Sequence, residues 1–278
     1  MRMVDAHMHL WDPARGDYGW LTPDNTSLYR RFSRTDAEPL LSNAGIDSVV
    51  LVQAAPTVAE TDYLLSIADA TPWVAGVVGW VDLDAADIDE QIARRSGNSK
   101  FVGIRPMLQD IPEVSWVLDP HRVRGLEALM QRQLVFDALI RPAHLDTMVK
   151  IADQYPNLAI VLDHAAKPVV EASLDPHWLK GLRLIARRAN VSCKLSGLAS
   201  ELRSREDIKH IGSYIQILLE VFTPSRLIWG SDWPVLTTTM SYEDWHGLST
   251  QCLANLNAVE FAAVMGKNAI ATYALALE

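Results

Sequence analysis

Eight side chains able to hold, polarise or accept a proton stand where apolar runs of this chain stop: His7, His9, Gln53, Arg105, Asp137, His164, Lys194 and Asp232. The first two lie two apart in Met3-Val4-Asp5-Ala6-His7-Met8-His9-Leu10. Residues two apart in a strand share a face, so His7 and His9 are expected to point together and Ala6 and Met8 away. Paired imidazoles with a carboxylate suit a metal site, or proton transfer beside an oxyanion. Each residue also has a structural alternative. Gln53 and Asp137 can cap the turn that follows, Arg105 can join a surface ion pair, and Lys194 can be a solvated loop residue. His164 beside Asp163 can be a satisfied core histidine, and Asp232 can cap the loop before Pro234. Eight such coincidences at one end of one architecture are improbable together, and the set reads as an active site.

The elements that carry these residues alternate regularly. Apolar strands are expected at 47–53, 73–80, 101–105, 134–139, 158–164, 191–194 and 227–232, after the first at 3–10. Helices are expected at 36–43, 58–70, 84–95, 121–132, 143–154, 176–189, 204–221, 243–254 and 258–275. The strands are continuous Val/Ile/Leu runs, the signature of parallel strands covered on both faces. Eight βα units in 278 residues fit an α/β fold of the (β/α)8 TIM-barrel type, in one domain spanning 1–278. In such barrels the site lies at the C-terminal strand ends. Residues 11–34, rich in aromatics, form a long connection expected to be an ordered loop covering the active site.

Other classes are excluded by what the chain lacks. No Gly-x-Gly-x-x-Gly follows the first strand, which removes a dinucleotide site, and no Gly-x-Ser-x-Gly elbow offers a serine nucleophile. The net charge of −9 argues against nucleic acid or an anionic membrane as partner. No apolar run reaches the roughly 18 residues that span a bilayer. Cys193 and Cys252 have neither metal-site nor disulfide-framework spacing. With no basic-then-apolar leader, a cytoplasmic protein is expected.

Four motifs in order carry a family resemblance: Val4-Asp5-Ala6-His7-Met8-His9, Leu162-Asp163-His164-Ala165-Ala166-Lys167-Pro168, Lys194-Leu195-Ser196-Gly197 and Gly230-Ser231-Asp232-Trp233-Pro234. Together they resemble the amidohydrolase superfamily, in its branch of sugar-lactone and pyrone-dicarboxylate lactonases. The resemblance runs the whole chain, to Gly266-Lys267-Asn268-Ala269 before Tyr273. It implies a metal held by His7, His9 and Asp232. Arg105 stands where metal-dependent relatives carry a carboxylated lysine or a glutamate, and the fifth strand ends Phe136-Asp137-Ala138 without a histidine. A two-metal site is therefore not expected. A single Zn2+ is treated as facultative, with no cofactor required.

Opening a lactone needs a base for water and positive charge for the oxyanion. Asp232 suits the base; Arg105, His7, His9 and His164 can supply hydrogen-bond donors, each preorganised donor being worth about 3 kcal/mol. Gln53, Lys194, Ser196, Trp11 and Trp233 are expected to bind substrate, with Trp20 and Trp116 also candidates for the mouth. Arg105 alone among arginines stands at a strand end, which favours a neutral sugar lactone, such as L-fucono- or L-rhamnono-lactone, over a dicarboxylate. The alternatives are a metal-dependent amidohydrolase or decarboxylase of the same superfamily, a pyrone-dicarboxylate lactonase, or a barrel that only binds.

Overall fold

The computed structural model describes residues 1–277. Eight strands, β1 Val4–Met8, β2 Ser48–Val52, β3 Val74–Gly79, β4 Phe101–Ile104, β5 Val135–Ala138, β6 Ile160–Leu162, β7 Val191–Leu195 and β8 Leu227–Trp229, pair in parallel in sequence order. A parallel bridge between Met8, the last residue of β1, and Trp233, beyond β8, joins the two ends of the sheet. Its backbone bonds run from Asp232 N–H to the His7 carbonyl, 2.8 Å, and from His9 N–H to the Trp233 carbonyl, 2.7 Å. The fold is a (β/α)8 TIM barrel, and its closing seam passes through four site candidates, His7, His9, Asp232 and Trp233.

The connecting helices are α1 Arg34–Ala44, α2 Val58–Asp69, α3 Ile88–Ser96, α4 Pro120–Gln131, α5 Leu145–Gln154, α6 Pro176–Ile185, α7 Ile211–Phe222 and α8 Tyr242–Cys252, followed by α9 Ala258–Ala262 and α10 Asn268–Thr272. Their starts carry the expected oxygen caps: Thr57 before α2, Asp119 before α4 and Asp175 before α6 each accept a backbone N–H, with proline in the first turn of the latter two. Two expected helices differ. The stretch 204–221 opens as a 3-10 segment, Arg205–His210, before α7. The stretch 258–275 contains a π turn, Ala263–Lys267, between α9 and α10. Within that turn Gly266 passes so close to the Arg2 carbonyl that a Cβ would lie 2.2 Å from it.

The barrel interior is filled by a cluster containing Val4, Ala6, Val50, Val135, Val161 and Ile228, with Tyr273 and Leu275 from the chain's end packed against it. Alternation along β5, β6 and β8 carries this inward face on to Asp137, Asp163 and Asp232. On β1 strict alternation would fail, because it would turn Met8 inward and His7 outward. An extra residue between Asp5 and Met8, set against Val49 and Leu51 of β2, corrects the phase. A bulge of this kind re-aims side chains beside active sites. The sequence expectation is corrected at Ala6, which packs inward with Val4; Met8 joins the outer core.

Candidate active site

At the C-terminal mouth three imidazoles surround one carboxylate oxygen. Asp232 Oδ1 lies 3.3 Å from His9 Nε2 and 3.7 Å from both His7 Nε2 and His164 Nε2. All four residues are buried. His9 Nδ1 is 2.7 Å from the Val52 carbonyl, which can only accept, so Nδ1 carries the proton. The neutral ring therefore turns a bare Nε2 toward a bare carboxylate oxygen. Two acceptors at that distance call for a proton or a cation between them.

Charge at this cluster is set by burial first. Burial pushes His164 down to about 4 against the pull of Asp232 and Asp163. His9 is lowered by burial despite the nearby Asp232 carboxylate, and His7 is lowered well below 6.5 by burial and the neighbouring Lys194. All three rings are neutral at neutral pH. Burial opposes ionisation of Asp232, yet the imidazoles around it, His164 first, then His9 and His7, hold it below the usual carboxylate range.

Beneath the mouth His7 is gripped from several strands. Its Nδ1 lies 3.2 Å from Lys194 Nζ and 3.4 Å from Asp163, and its Nε2 lies 3.2 Å from Arg105. A side chain from β1 reaches groups on β4, β6 and β7 only by crossing the barrel interior. Lys194 is fully buried and pairs with Asp137 at 2.5 Å and Asp163 at 3.0 Å; Tyr273 donates to the other Asp137 oxygen at 2.8 Å. Burial raises Asp137 to about 6 even with Lys194 against it. Asp163 stays ionised, because Lys194, His7 and Arg105 outweigh its burial. Arg105 and Gln53 hold each other: Gln53 Nε2 donates to the Arg105 carbonyl at 2.6 Å, and the Arg105 guanidinium donates to the Gln53 carbonyl.

His164 stands on an unusual backbone. His164, Ala165, Ala166 and Lys167 all have φ between 51° and 61°, the left-handed region that costs an L residue about 1–2 kcal/mol. The turn is held by Lys167 N–H on the His164 carbonyl, 2.8 Å, and by the Trp178 indole on the Ala165 carbonyl, 2.8 Å. Ser196 bonds His164 Nδ1 at 2.9 Å. The ring packs over Gly197, where a Cβ would lie 2.3 Å from Nδ1 and φ is +67°. Strain concentrated at such a turn is a mark of function.

A cavity of about 230 Å³ opens above the cluster, lined by His9, Arg105, His164 and Asp232. Trp11 and Trp20 of the 11–34 segment also line it, with Trp20 Nε1 bonded to the Ala54 carbonyl at 2.6 Å. Ala54, Met107, Gln109, Asp110, Leu139, Lys167 and Val235 complete the wall. The other expected substrate contacts do not reach it. Gln53, Lys194 and Ser196 are fully buried and spent on Arg105, on the two aspartates and on His164. Trp233 stacks edge-on to Phe32 at 5.3 Å. Trp116 lines a neighbouring hollow and lies beneath Arg122. His7 is behind the wall, in contact with Asp232. Gln109, Asp110, Leu139 and Val235 carry no signal in the sequence, since they lie in loops and short 3-10 turns past the strand ends.

The whole length from residue 4 to residue 275 matches the amidohydrolase family. The chain belongs to this family. An L-fucono-1,5-lactonase of Burkholderia ambifaria is 40% identical over 97% of this chain and 94% of its own length. A second, from Burkholderia multivorans, is 33% identical over 98% and 96%. A crystal structure of a Burkholderia multivorans amidohydrolase with bound zinc superposes with a TM-score of 0.93 at 32% identity, covering 99% of this chain and all of that one.

The donor set of this amidohydrolase fits a single divalent ion. Ligand atoms of His7, His9 and Asp232 lie within 4.8 Å of one another, and the facing acceptors of His9 and Asp232 favour a cation. Imidazole nitrogen and carboxylate oxygen are ordinary zinc ligands. Against it, the Arg105 guanidinium already occupies the His7 Nε2 direction and repels a dication.

Proposed function

We propose that this enzyme hydrolyses a neutral sugar 1,5-lactone, of the L-fucono-1,5-lactone class, with Asp232 as general base and without an obligatory metal. The observation that carries the mechanism is the buried Asp232 carboxylate among three neutral imidazoles at the foot of a cavity sized for one ring. At about 230 Å³ that cavity falls below the roughly 300–1,000 Å³ typical of drug-sized ligands. The relatives named above supply the substrate class.

In this reading water attacks the lactone carbonyl, one water proton passes to Asp232, and the carbonyl oxygen becomes an oxyanion facing Arg105. Collapse of the intermediate breaks the bond from the acyl carbon to the ring oxygen. The departing ring oxygen takes the proton from Asp232, leaving the open-chain hydroxy acid. A divalent ion held by His7, His9 and Asp232 would add Lewis acidity; Arg105 supplies fixed positive charge in the same place.

Charge favours a neutral substrate. The two cations lining the cavity are both already matched, Arg105 by Asp163 at 3.4 Å and Lys167 by Glu201 at 2.9 Å. Asp110 and Asp232 add two carboxylates to the wall. An anionic pyrone dicarboxylate would meet no unpaired cation there. The test is a panel of sugar lactones and lactone dicarboxylates assayed by acid release with a pH indicator. Turnover of L-fucono-1,5-lactone well above that of any dicarboxylate is expected; the reverse order would sink the reading.

A further inference from the structure

We propose that Lys167 determines substrate specificity by donating one hydrogen bond to a ring hydroxyl of the lactone, an inference that rests on the lactonase reading. Three observations place it there. Lys167 lines the cavity together with His164 and Gln109. It closes the left-handed turn that begins at His164, with its N–H on the His164 carbonyl. In a turn of three residues, side chains i and i+3 eclipse, so the strained backbone sets His164 and Lys167 on one face, looking into one cavity.

The ammonium is also held and only partly used. It has three N–H donors. One goes to Gln109 Oε1 at 3.0 Å, and Glu201 Oε1 lies 2.9 Å away on another side. Among the described residues no third acceptor lies within hydrogen-bond distance. Lys167 lines the cavity, so the remaining N–H is available to a hydroxyl of the polyhydroxylated ring that the lactonase reading calls for. Because Glu201 balances the charge, this donor suits a neutral hydroxyl acceptor and gives no net attraction to a carboxylate. Fixing by two partners removes rotamer freedom that an unbound lysine would lose on binding.

The experiment measures kcat/KM for the parent lactone and its mono-deoxy analogues, each lacking one ring hydroxyl, with wild type and Lys167→Met. One analogue is expected to lose about 10- to 100-fold with wild type, the range for a lost hydrogen bond to a charged group. Lys167→Met should lose as much on the parent and nothing further on that analogue, while the other analogues keep their wild-type penalties. Losses that multiply for every analogue, or an unchanged parent rate, would overturn the assignment and leave the lactonase reading standing. Failure of wild type to open the parent lactone would overturn both. Circular dichroism checks folding, and Lys167→Asn, a residue type that tolerates left-handed backbone, decides the matter if the methionine variant does not fold.

Discussion

Asp232 donates its backbone N–H to the carbonyl of His7 at 2.8 Å, and the same two residues face each other through side chains 3.7 Å apart. The hydrogen bonds that close the barrel are thus made by residues of the candidate site. Asp5 reinforces the seam from behind, accepting the N–H of His7 at 3.1 Å, that of Ser231 at 2.9 Å and the Tyr242 hydroxyl at 3.0 Å. Any change in barrel closure would move His7 and Asp232 relative to each other.

Metal removal tests how much of the chemistry Arg105 carries. Chelated protein, shown metal-free by elemental analysis, is expected to keep substantial lactone hydrolysis. Arg105→Met should then make the residual activity metal-dependent, because the methionine takes away fixed positive charge and frees His7 Nε2. Loss of wild-type activity on chelation, restored by one equivalent of Zn2+, would show that the ion is obligatory.

Beneath the site, Lys194 is, among the described residues, the sole ammonium pairing with both Asp137 and Asp163. Lys194→Met leaves two buried carboxylates with only Arg105, His7 and Tyr273 to satisfy them. Removing one partner of a buried ion pair costs about 3–5 kcal/mol, and denaturant unfolding should register a loss of that size. Adding Asp137→Asn should recover part of it, since an amide has no charge to leave unpaired. A single variant as stable as wild type would mean that the buried charges are satisfied otherwise.

How far such features could be read in advance differed by their physics. Strand order, barrel class and the catalytic-type residues at strand ends follow from apolar periodicity, a property of contiguous residues. The inward phase of β1 does not, because a bulge between Asp5 and Met8 shifts it. Ser196, Lys194 and Gln53 look like ligand contacts in sequence because polar groups at strand ends are rarely without purpose. Their purpose in the fold is to hold His164, the aspartates and Arg105. Asp163 was visible as the first residue of Asp163-His164-Ala165-Ala166-Lys167 but looked subordinate to its neighbour. Lys167 stands in the same motif, but its place in the cavity is not legible there, because it depends on four consecutive left-handed residues that no local propensity favours.

Glu60 links the mouth to pH. On α2, buried, it accepts the backbone N–H of Ala54 at 2.9 Å and of Ala55 at 2.6 Å, and Ala54 in turn anchors Trp20. Burial raises its pKa from 4.5 to about 7, against the two amides and assisted by Asp17. The folded state therefore holds a proton that the unfolded chain releases between those values. This contribution is complete below about 4.5 and fades as pH rises through about 7. Its full size is at most about 3 kcal/mol, at 1.36 kcal/mol per tenfold change in proton affinity. Glu60→Gln cannot ionise, so its Tm relative to wild type should climb between pH 5 and pH 8. A constant difference across that range would refute the assignment.

The role of Asp232 is separable from that of His164 by paired substitutions. Asp232→Asn keeps the shape and one hydrogen-bonding oxygen but cannot take a proton from water. If Asp232 is the base, kcat should fall by about 10²–10⁴-fold with KM little changed, because ground-state contacts survive. His164→Gln should then cost less, since the glutamine can still face Ser196 and the loss is one of orientation. The opposite ranking has a physical basis in the same cluster: Asp232 is held below the usual carboxylate range, and a weaker base takes a proton from water less readily. A larger fall in kcat for His164→Gln than for Asp232→Asn would assign the water's proton to the imidazole. Asp232 would then orient that imidazole across the 3.7 Å between them.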